Sequence, residues 1–121
     1  MSGKPILIID DNPSNLKLMR VLLSGEGYEV RTALGAEEAL MTLATFQPML
    51  ILMDIQMPGM DGLELTRRIK AAPPTSKIPI VALTAYAMSG DEARAKEAGC
   101  DAYVTKPIDT RTLPQLIAKL L

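Results

Sequence analysis

The sequence contains no histidine and only one cysteine, and these two shortages exclude several kinds of chemistry. Without histidine there is no imidazole acid–base catalysis, no cysteine–histidine dyad and none of the usual zinc sites. A single cysteine cannot form an internal disulfide, and it is compatible with the reducing cytoplasm in which we expect the protein to reside. A metal bound by this chain would be a hard, oxygen-liganded ion such as Mg²⁺.

Strong net charge and long apolar runs are missing as well. The net charge of -1 gives no indication of a nucleic-acid or membrane partner. The first apolar run, residues 6–9, stops at two aspartates and is too short for a signal peptide or a membrane span. With 121 residues, 48% of them hydrophobic and 22% charged, the chain is expected to form one soluble globular domain over residues 1–121.

Short apolar runs bounded by polar residues alternate with helical patterns along the whole chain. Such runs are typical of strands buried on both faces, as in a parallel sheet covered by helices. Ala39, Leu40 and Leu43 are expected to face inward on the second helix. Pro114 should tighten or displace the first turn of the last helix. We predict strands at residues 6–10, 28–33 (an edge strand), 49–53, 78–83 and 101–105, and helices at residues 12–25, 36–46, 61–72, 89–99 and 109–121.

Five strands alternating with five helices predict a doubly wound α/β fold, with one parallel sheet and helices on both of its faces. Right-handed crossovers restrict the topology but leave either doubly wound strand order open. The flavodoxin-like order 2-1-3-4-5 is favoured, because it places the strands that end at Asp10 and Asp54 side by side.

Charged and hydroxyl side chains follow four of the predicted strands. Asp10 and Asp11 stand at the end of the first, Asp54 after the third, Thr84 after the fourth and Lys106 after the fifth. Ligands of such sheets bind outside the carboxyl ends of the strands, so these side chains are expected in one crevice. A carboxylate can act as nucleophile towards a phosphoryl group, two further acids can hold Mg²⁺, and a lysine and a hydroxyl can bind phosphoryl oxygens.

Each of these residues has a simpler interpretation when taken alone. A strand-terminal aspartate is often a turn former, a threonine such as Thr84 is often only a strand end, and Lys106 could be a solvated surface lysine. Cys100 is most simply a core residue. The simpler interpretations would all have to hold at one edge of the sheet, which makes a functional site the better hypothesis.

Four short motifs are spread from one end of the chain to the other. They are Ile9-Asp10-Asp11-Asn12, Met53-Asp54-Ile55-Gln56-Met57-Pro58-Gly59-Met60-Asp61-Gly62, Leu83-Thr84-Ala85 and Thr105-Lys106-Pro107. With these motifs the chain resembles the receiver domains of bacterial two-component response regulators. The resemblance covers essentially the whole chain, and from Thr84 to Cys100 it is closest to stand-alone regulators of cell-cycle type and to receiver domains of hybrid histidine kinases. The one departure from the pattern is Pro114.

The resemblance implies a chemical role for the residues of the crevice. Asp54 would be the phosphoacceptor, supplied by a kinase phosphohistidine. Asp10 and Asp11 would hold Mg²⁺ together with Asp54 and the backbone carbonyl of Gln56. Lys106 would bind the phosphoryl group, and the peptide bond that follows it is expected to be cis.

The resemblance also implies a signalling role for residues around the acceptor. Thr84 would bind the phosphoryl group and form a switch pair with Tyr103, while Gln56 and Tyr86 would tune how fast the phosphoryl group is lost. The partners would be a histidine kinase or phosphotransfer protein and a downstream protein target. The protein is expected to be a monomer or a weak phosphorylation-dependent dimer, and to catalyse only its own phosphorylation and dephosphorylation.

Two other functions remain open from the sequence. A Mg²⁺-dependent phosphohydrolase of the haloacid dehalogenase type also uses an aspartyl nucleophile, but it needs a second aspartate two residues later, where this chain has Gln56. A phosphorylation-independent adaptor could use the same fold, although the intact acids, Thr84 and Lys106 argue against it. Phosphate release from small phosphomonoesters tests the first alternative, and Mg²⁺ affinity tests the second.

Overall fold

The computed structural model describes residues 3–55, 62–84, 91–105 and 109–121, and in them strands and helices alternate. The elements are β1 (Pro5–Ile9), α1 (Pro13–Gly25), β2 (Glu29–Ala33), α2 (Ala36–Leu43), β3 (Leu50–Asp54), α3 (Gly62–Ala71), β4 (Ile80–Thr84), α4 (Asp91–Ala98), β5 (Ala102–Thr105) and α5 (Leu113–Leu120).

The five strands form one parallel sheet in the order β2-β1-β3-β4-β5, which confirms the predicted fold class and strand order. Every residue of β3 and β4 is buried, because helices cover both faces of the sheet at these strands. The strand β2 alternates between exposed and more buried residues, as predicted for an edge strand. The neighbouring strands β1 and β3 pair in register from Ile6 with Leu50 to Ile9 with Met53.

Two hydrophobic layers lie on opposite faces of the sheet. One layer joins the sheet to α2, α3 and α4, and it includes Leu65 and Ile69 of α3. The other joins the sheet to α1 and α5, and it includes Met19 of α1 and Ile117 of α5. The core therefore fixes the positions of the strand ends from both sides.

Helix α1 begins where the sequence predicts it to begin. The Asn12 side chain accepts a hydrogen bond from the backbone N–H of Ser14 at 2.9 Å, and Pro13 occupies the first turn, where its missing N–H costs nothing. The helix ends at Gly25, and the positive φ of Gly27, 93°, turns the chain towards β2. The first helix thus starts two residues beyond Asp11.

Two local predictions need correction. Leu40 was expected to face inward on α2, but it is 38% exposed, because α2 ends at Leu43 and turns only Ala39 fully into the core. Helix α5 was expected to begin near Asp109, but it begins at Leu113. Pro114 lies in its first turn, so the predicted displacement of that turn is confirmed and the proline removes no interior hydrogen bond.

Candidate functional site

Three carboxylates meet at the carboxyl end of β1 and β3. Asp10 directly follows β1, Asp54 is the last residue of β3, and Asp11 follows Asp10. One oxygen from each lies within 4.8 Å of the other two. Asp10 is 0% and Asp54 2% exposed, whereas Asp11 is exposed to solvent. The strand order therefore brings together the three acids that the sequence analysis selected.

Backbone hydrogen bonds hold Asp10 in place. Its N–H donates to the carbonyl of Ala33 on β2 at 3.1 Å, and its Oδ1 accepts the N–H of Asn12 at 2.9 Å. Asn12, and not Asp10, caps helix α1. The Asp10 carboxylate is thus oriented by the turn between β1 and α1, and it remains beside Asp54 without serving as the helix cap.

Asp54 is held through the backbone on either side of it. It pairs with Leu83 in the β3–β4 register, and the N–H of Ile55 donates to the carbonyl of Leu83 at 3.0 Å. The N–H of Gly62, at the start of α3, donates to the carbonyl of Ile55 at 3.3 Å.

Sequence reasoning missed Gly62 as a site residue. The available signal was that glycine occupies the first turn of α3, a position where most other residues are tolerated and glycine is not required for its backbone conformation.

Thr84 and Tyr103 lie on the same face of the sheet. Thr84 is the last residue of β4 and is 0% exposed. Tyr103 pairs with Ala82, two residues before Thr84, and residues two apart in a strand share a face. The Tyr103 ring packs, half-buried, against the hydrophobic layer of α2, α3 and α4, and its hydroxyl oxygen is buried. The two predicted switch residues are therefore on neighbouring strands beside the acids.

The remaining predicted site residues lie outside the described residues. They are Gln56, Tyr86 and Lys106, together with the expected cis bond from Lys106 to Pro107.

A comparison with protein-family models decides the family. The model of the response regulator receiver domain matches residues 6–118 of this chain. The chain belongs to this family.

Curated relatives and solved structures agree with that assignment. The polar-differentiation response regulators DivK of Brucella anthropi and Brucella ovis are 42% and 44% identical over 118 and 119 residues, which is 98% of this chain and 96% of each relative. The chemotaxis protein CheY4 of Vibrio cholerae has a TM-score of 0.94 at 27% identity, covering 99% of this chain and 100% of that one. The protein is thus a receiver domain that acts as a phosphorylation-dependent signalling switch.

One solved relative carries a metal. The receiver domain of the sensor histidine kinase PA1611 of Pseudomonas aeruginosa has a magnesium ion coordinated in its active-site cleft. Its TM-score is 0.90 at 32% identity, with 98% of each chain covered. Among the described residues, Asp10, Asp11 and Asp54 form an acidic cluster that could hold such an ion.

Cys100 does not contribute to this site. It is 6% exposed, lies in the hydrophobic layer of α2, α3 and α4, and its Sγ is 3.8 Å from the hydroxyl of Thr66. Burial is the main cause that raises the pKa of the Cys100 thiol above its usual value. The cysteine is a core residue, as the simpler interpretation predicted.

Among the described residues, no helix has both the length and the apolar character to cross a membrane.

Proposed function

We propose that this receiver domain takes a phosphoryl group from the phosphohistidine of a histidine kinase or phosphotransfer protein onto Asp54. The observation that carries the proposal is the trio of Asp10, Asp11 and Asp54, whose oxygens lie within 4.8 Å of one another at the end of the sheet. Two of the three carboxylates are almost completely buried. Buried acids at such short separation repel each other, and a bound cation would remove that repulsion.

The donor set fits Mg²⁺. Oxygens bound to one octahedral Mg²⁺ at about 2.1 Å lie about 3.0 Å apart when adjacent and about 4.2 Å apart when opposite. The three carboxylate oxygens, within 4.8 Å of one another, are close enough for small side-chain rotations to bring them onto one ion. Asp10, Asp11, Asp54 and the carbonyl of Gln56 would hold the ion. When bound, Mg²⁺ would neutralise charge on the phosphoryl oxygens and on the carboxylates.

Asp54 would act as the nucleophile. One of its carboxylate oxygens attacks the phosphorus, the bond from phosphorus to the imidazole nitrogen of the donor breaks, and the electron pair leaves with that nitrogen. The product is an acyl phosphate on Asp54. Lys106 would offer its ammonium group to the phosphoryl oxygens, because a phosphoryl group adds roughly −1.5 to −2 charge that needs new donors.

Thr84 and Tyr103 would convert this event into a signal. Thr84 ends β4 and can donate its hydroxyl to a phosphoryl oxygen, while the Tyr103 ring lies on the same face of the neighbouring strand. The hydroxyl of Tyr103 is buried in this structure. The switch would be an equilibrium between two positions of the ring that phosphorylation shifts. Gln56 and Tyr86 would set how long the phosphoryl group persists.

The output would be a protein–protein contact with a downstream target in the cytoplasm, made by a monomer or by a weak phosphorylation-dependent dimer. The chain would catalyse only its own phosphorylation and dephosphorylation. A phosphohydrolase of the haloacid dehalogenase type would need an acid where Gln56 stands. An adaptor that works without phosphorylation would have no use for three clustered carboxylates.

The proposal is tested by incubating the protein with acetyl phosphate and Mg²⁺ and measuring its intact mass. The parent should gain one phosphoryl group, and a chelator should prevent it. Asp54→Asn should gain none. Asp101→Asn, a matched change at the amino-terminal end of β5, should still be labelled. Labelling of Asp54→Asn, or continuous phosphate release from a small phosphomonoester, would contradict the proposal.

A further inference from the structure

The first residue of α3 is packed directly on the peptide backbone of the proposed phosphoacceptor. Gly62 is buried, and a Cβ added to it would lie 2.5 Å from the Cα of Ile55 and closer still to the carbonyl oxygen of Asp54. Ordinary contacts between such atoms are about 3.5 to 4.0 Å. The atoms that a Cβ would meet belong to the backbone of Asp54 and Ile55, which cannot rotate away as side-chain atoms could. Any residue larger than glycine at position 62 therefore has to push β3 and α3 apart.

Of the other described glycines, only Gly3 shares this requirement, because a Cβ there would collide with the backbone of Gly27 and Tyr28. An added Cβ at Gly25, the last residue of α1, or at Gly35 before α2 would meet nothing within 4 Å. The glycines with positive φ, Gly27 and Gly99, are required for their backbone conformation. Gly62 has a φ that other residues adopt, so the close approach to Asp54 is the reason for glycine at this position.

Hydrogen bonds hold the first turn of α3 against the end of β3. The N–H of Gly62 donates to the carbonyl of Ile55 at 3.3 Å. The hydroxyl of Thr66, a completely buried residue one turn later, donates to the carbonyl of Gly62 at 2.7 Å. The N–H of Ile55 is bound on the other side to Leu83 of β4. The backbone of Ile55, the residue that follows Asp54, is therefore held between α3 and β4.

From this packing we infer that Gly62 is a positioning residue for phosphoryl transfer, and that Thr66 holds it in place. Gly62 touches neither the phosphoryl group nor a metal. It sets where the backbone of Asp54 stands, and hence where the nucleophilic oxygen lies relative to Asp10 and Asp11. This inference rests on the proposed function, because it assigns Gly62 a part in the reaction at Asp54.

The size of the effect follows from the packing. A Cβ at position 62 must retreat by about 1 Å to reach ordinary contact distance. A misplacement of about 1 Å in a reacting group can cost roughly 100-fold in rate. If β3 and α3 share the displacement, Gly62→Ala should phosphorylate roughly 10- to 100-fold more slowly than the parent. Mg²⁺ affinity should change less, because the atoms nearest to an added Cβ belong to Asp54 and Ile55, whereas Asp10 and Asp11 follow β1.

The experiment measures the initial rate of phosphorylation by acetyl phosphate at saturating Mg²⁺, per folded molecule, with the Mg²⁺ dissociation constant measured in parallel. Folding is checked from amide NMR spectra at a temperature well below the melting transition. Gly25→Ala is the matched control and should react at the parent rate.

Thr66→Val removes the hydrogen bond from the Thr66 hydroxyl to Gly62 with little change of shape. It should react about two- to tenfold more slowly than the parent, which is the rate change that corresponds to the net free energy of one hydrogen bond. Thr66→Ser keeps the hydroxyl and should recover most of the rate.

A merely structural role would lower the melting temperature and leave the rate per folded molecule unchanged. If Gly62→Ala is folded and reacts within about twofold of the parent, the inference is overturned while the function of Asp54 stands. If Gly62→Ala does not fold, Thr66→Val decides: a parent-like rate overturns the inference, and a slower rate that Thr66→Ser recovers supports it. If the parent itself gains no phosphoryl group, the proposed function fails and this inference fails with it.

Discussion

Replacing Asp11 by asparagine should separate the proposed metal-binding role of the acidic cluster from a structural one. Asp11 is the exposed member of the cluster, and its oxygen lies within 4.8 Å of oxygens of Asp10 and Asp54. At 4.8 Å two unit charges repel by about 3.5 kcal/mol at an effective dielectric constant near 20, and by about 0.9 kcal/mol in water. Because Asp11 is exposed, the lower end applies. Without metal, Asp11→Asn should be as stable as the parent or more stable by about 1 kcal/mol.

With Mg²⁺ the order should reverse. A ligand at 100 times its dissociation constant stabilises the native state by about 2.7 kcal/mol. If loss of the Asp11 charge weakens binding tenfold or more, the same Mg²⁺ concentration should add about 1.4 kcal/mol or less to the free energy of unfolding. The variant should thus gain stability in a chelator and lose much of the stabilisation that Mg²⁺ provides.

Urea denaturation followed by far-ultraviolet circular dichroism, in a chelator and in excess Mg²⁺, measures both quantities. Glu29→Gln is the matched control, since Glu29 is an exposed acid on β2 outside the cluster. It should respond to Mg²⁺ as the parent does. A clear loss of stability of Asp11→Asn in the chelator would mean that Asp11 is a structural residue. An unchanged Mg²⁺ response would mean that it is not a ligand.

Three further changes probe the switch and the core. Thr84→Ala should still accept the phosphoryl group, but the NMR shifts that beryllofluoride induces around Tyr103 should shrink, because the two residues share one face of the sheet. Lys70→Met and Asp101→Asn should each lower the free energy of unfolding, and the double variant should lose less than the sum of the two single losses. The coupling should be about 0.2 to 1 kcal/mol, because the 3.0 Å ion pair between Lys70 and Asp101 is partly exposed. Cys100 should react with a thiol reagent only on unfolding, because burial raises its pKa and disfavours the thiolate.

Each of these expectations has a distinct contrary result. Parent-like shift changes around Tyr103 in Thr84→Ala would mean that the threonine and the tyrosine are not coupled. Additive losses in the double-mutant cycle would show that the ion pair between Lys70 and Asp101 contributes nothing to stability. Fast labelling of Cys100 in the native protein at pH 8 would show that the layer of α2, α3 and α4 opens around it.

The sequence alone was sufficient for the fold and for the choice of acids, because both depend on local pattern. Short apolar runs predicted buried parallel strands, and parallel strands bring their carboxyl ends to one edge of a sheet. Asp10, Asp11 and Asp54 could therefore be placed together before any distance was known. Asn12 and Pro13 likewise predicted the start of α1, because helix capping involves residues only a few positions apart.

Only the tertiary structure could decide which residues touch across the sheet. Leu40 follows the apolar period of its helix, but it is 38% exposed in the folded chain, and Ala39 is the residue of α2 that is buried. The ion pair of Lys70 with Asp101 joins residues 31 positions apart, and no local pattern connects them. The close contact of Gly62 with the backbone of Asp54 likewise depends on where α3 packs against the end of β3. Contacts of this kind are set by how the crossover helices pack on the sheet, and that packing is decided by the whole core at once.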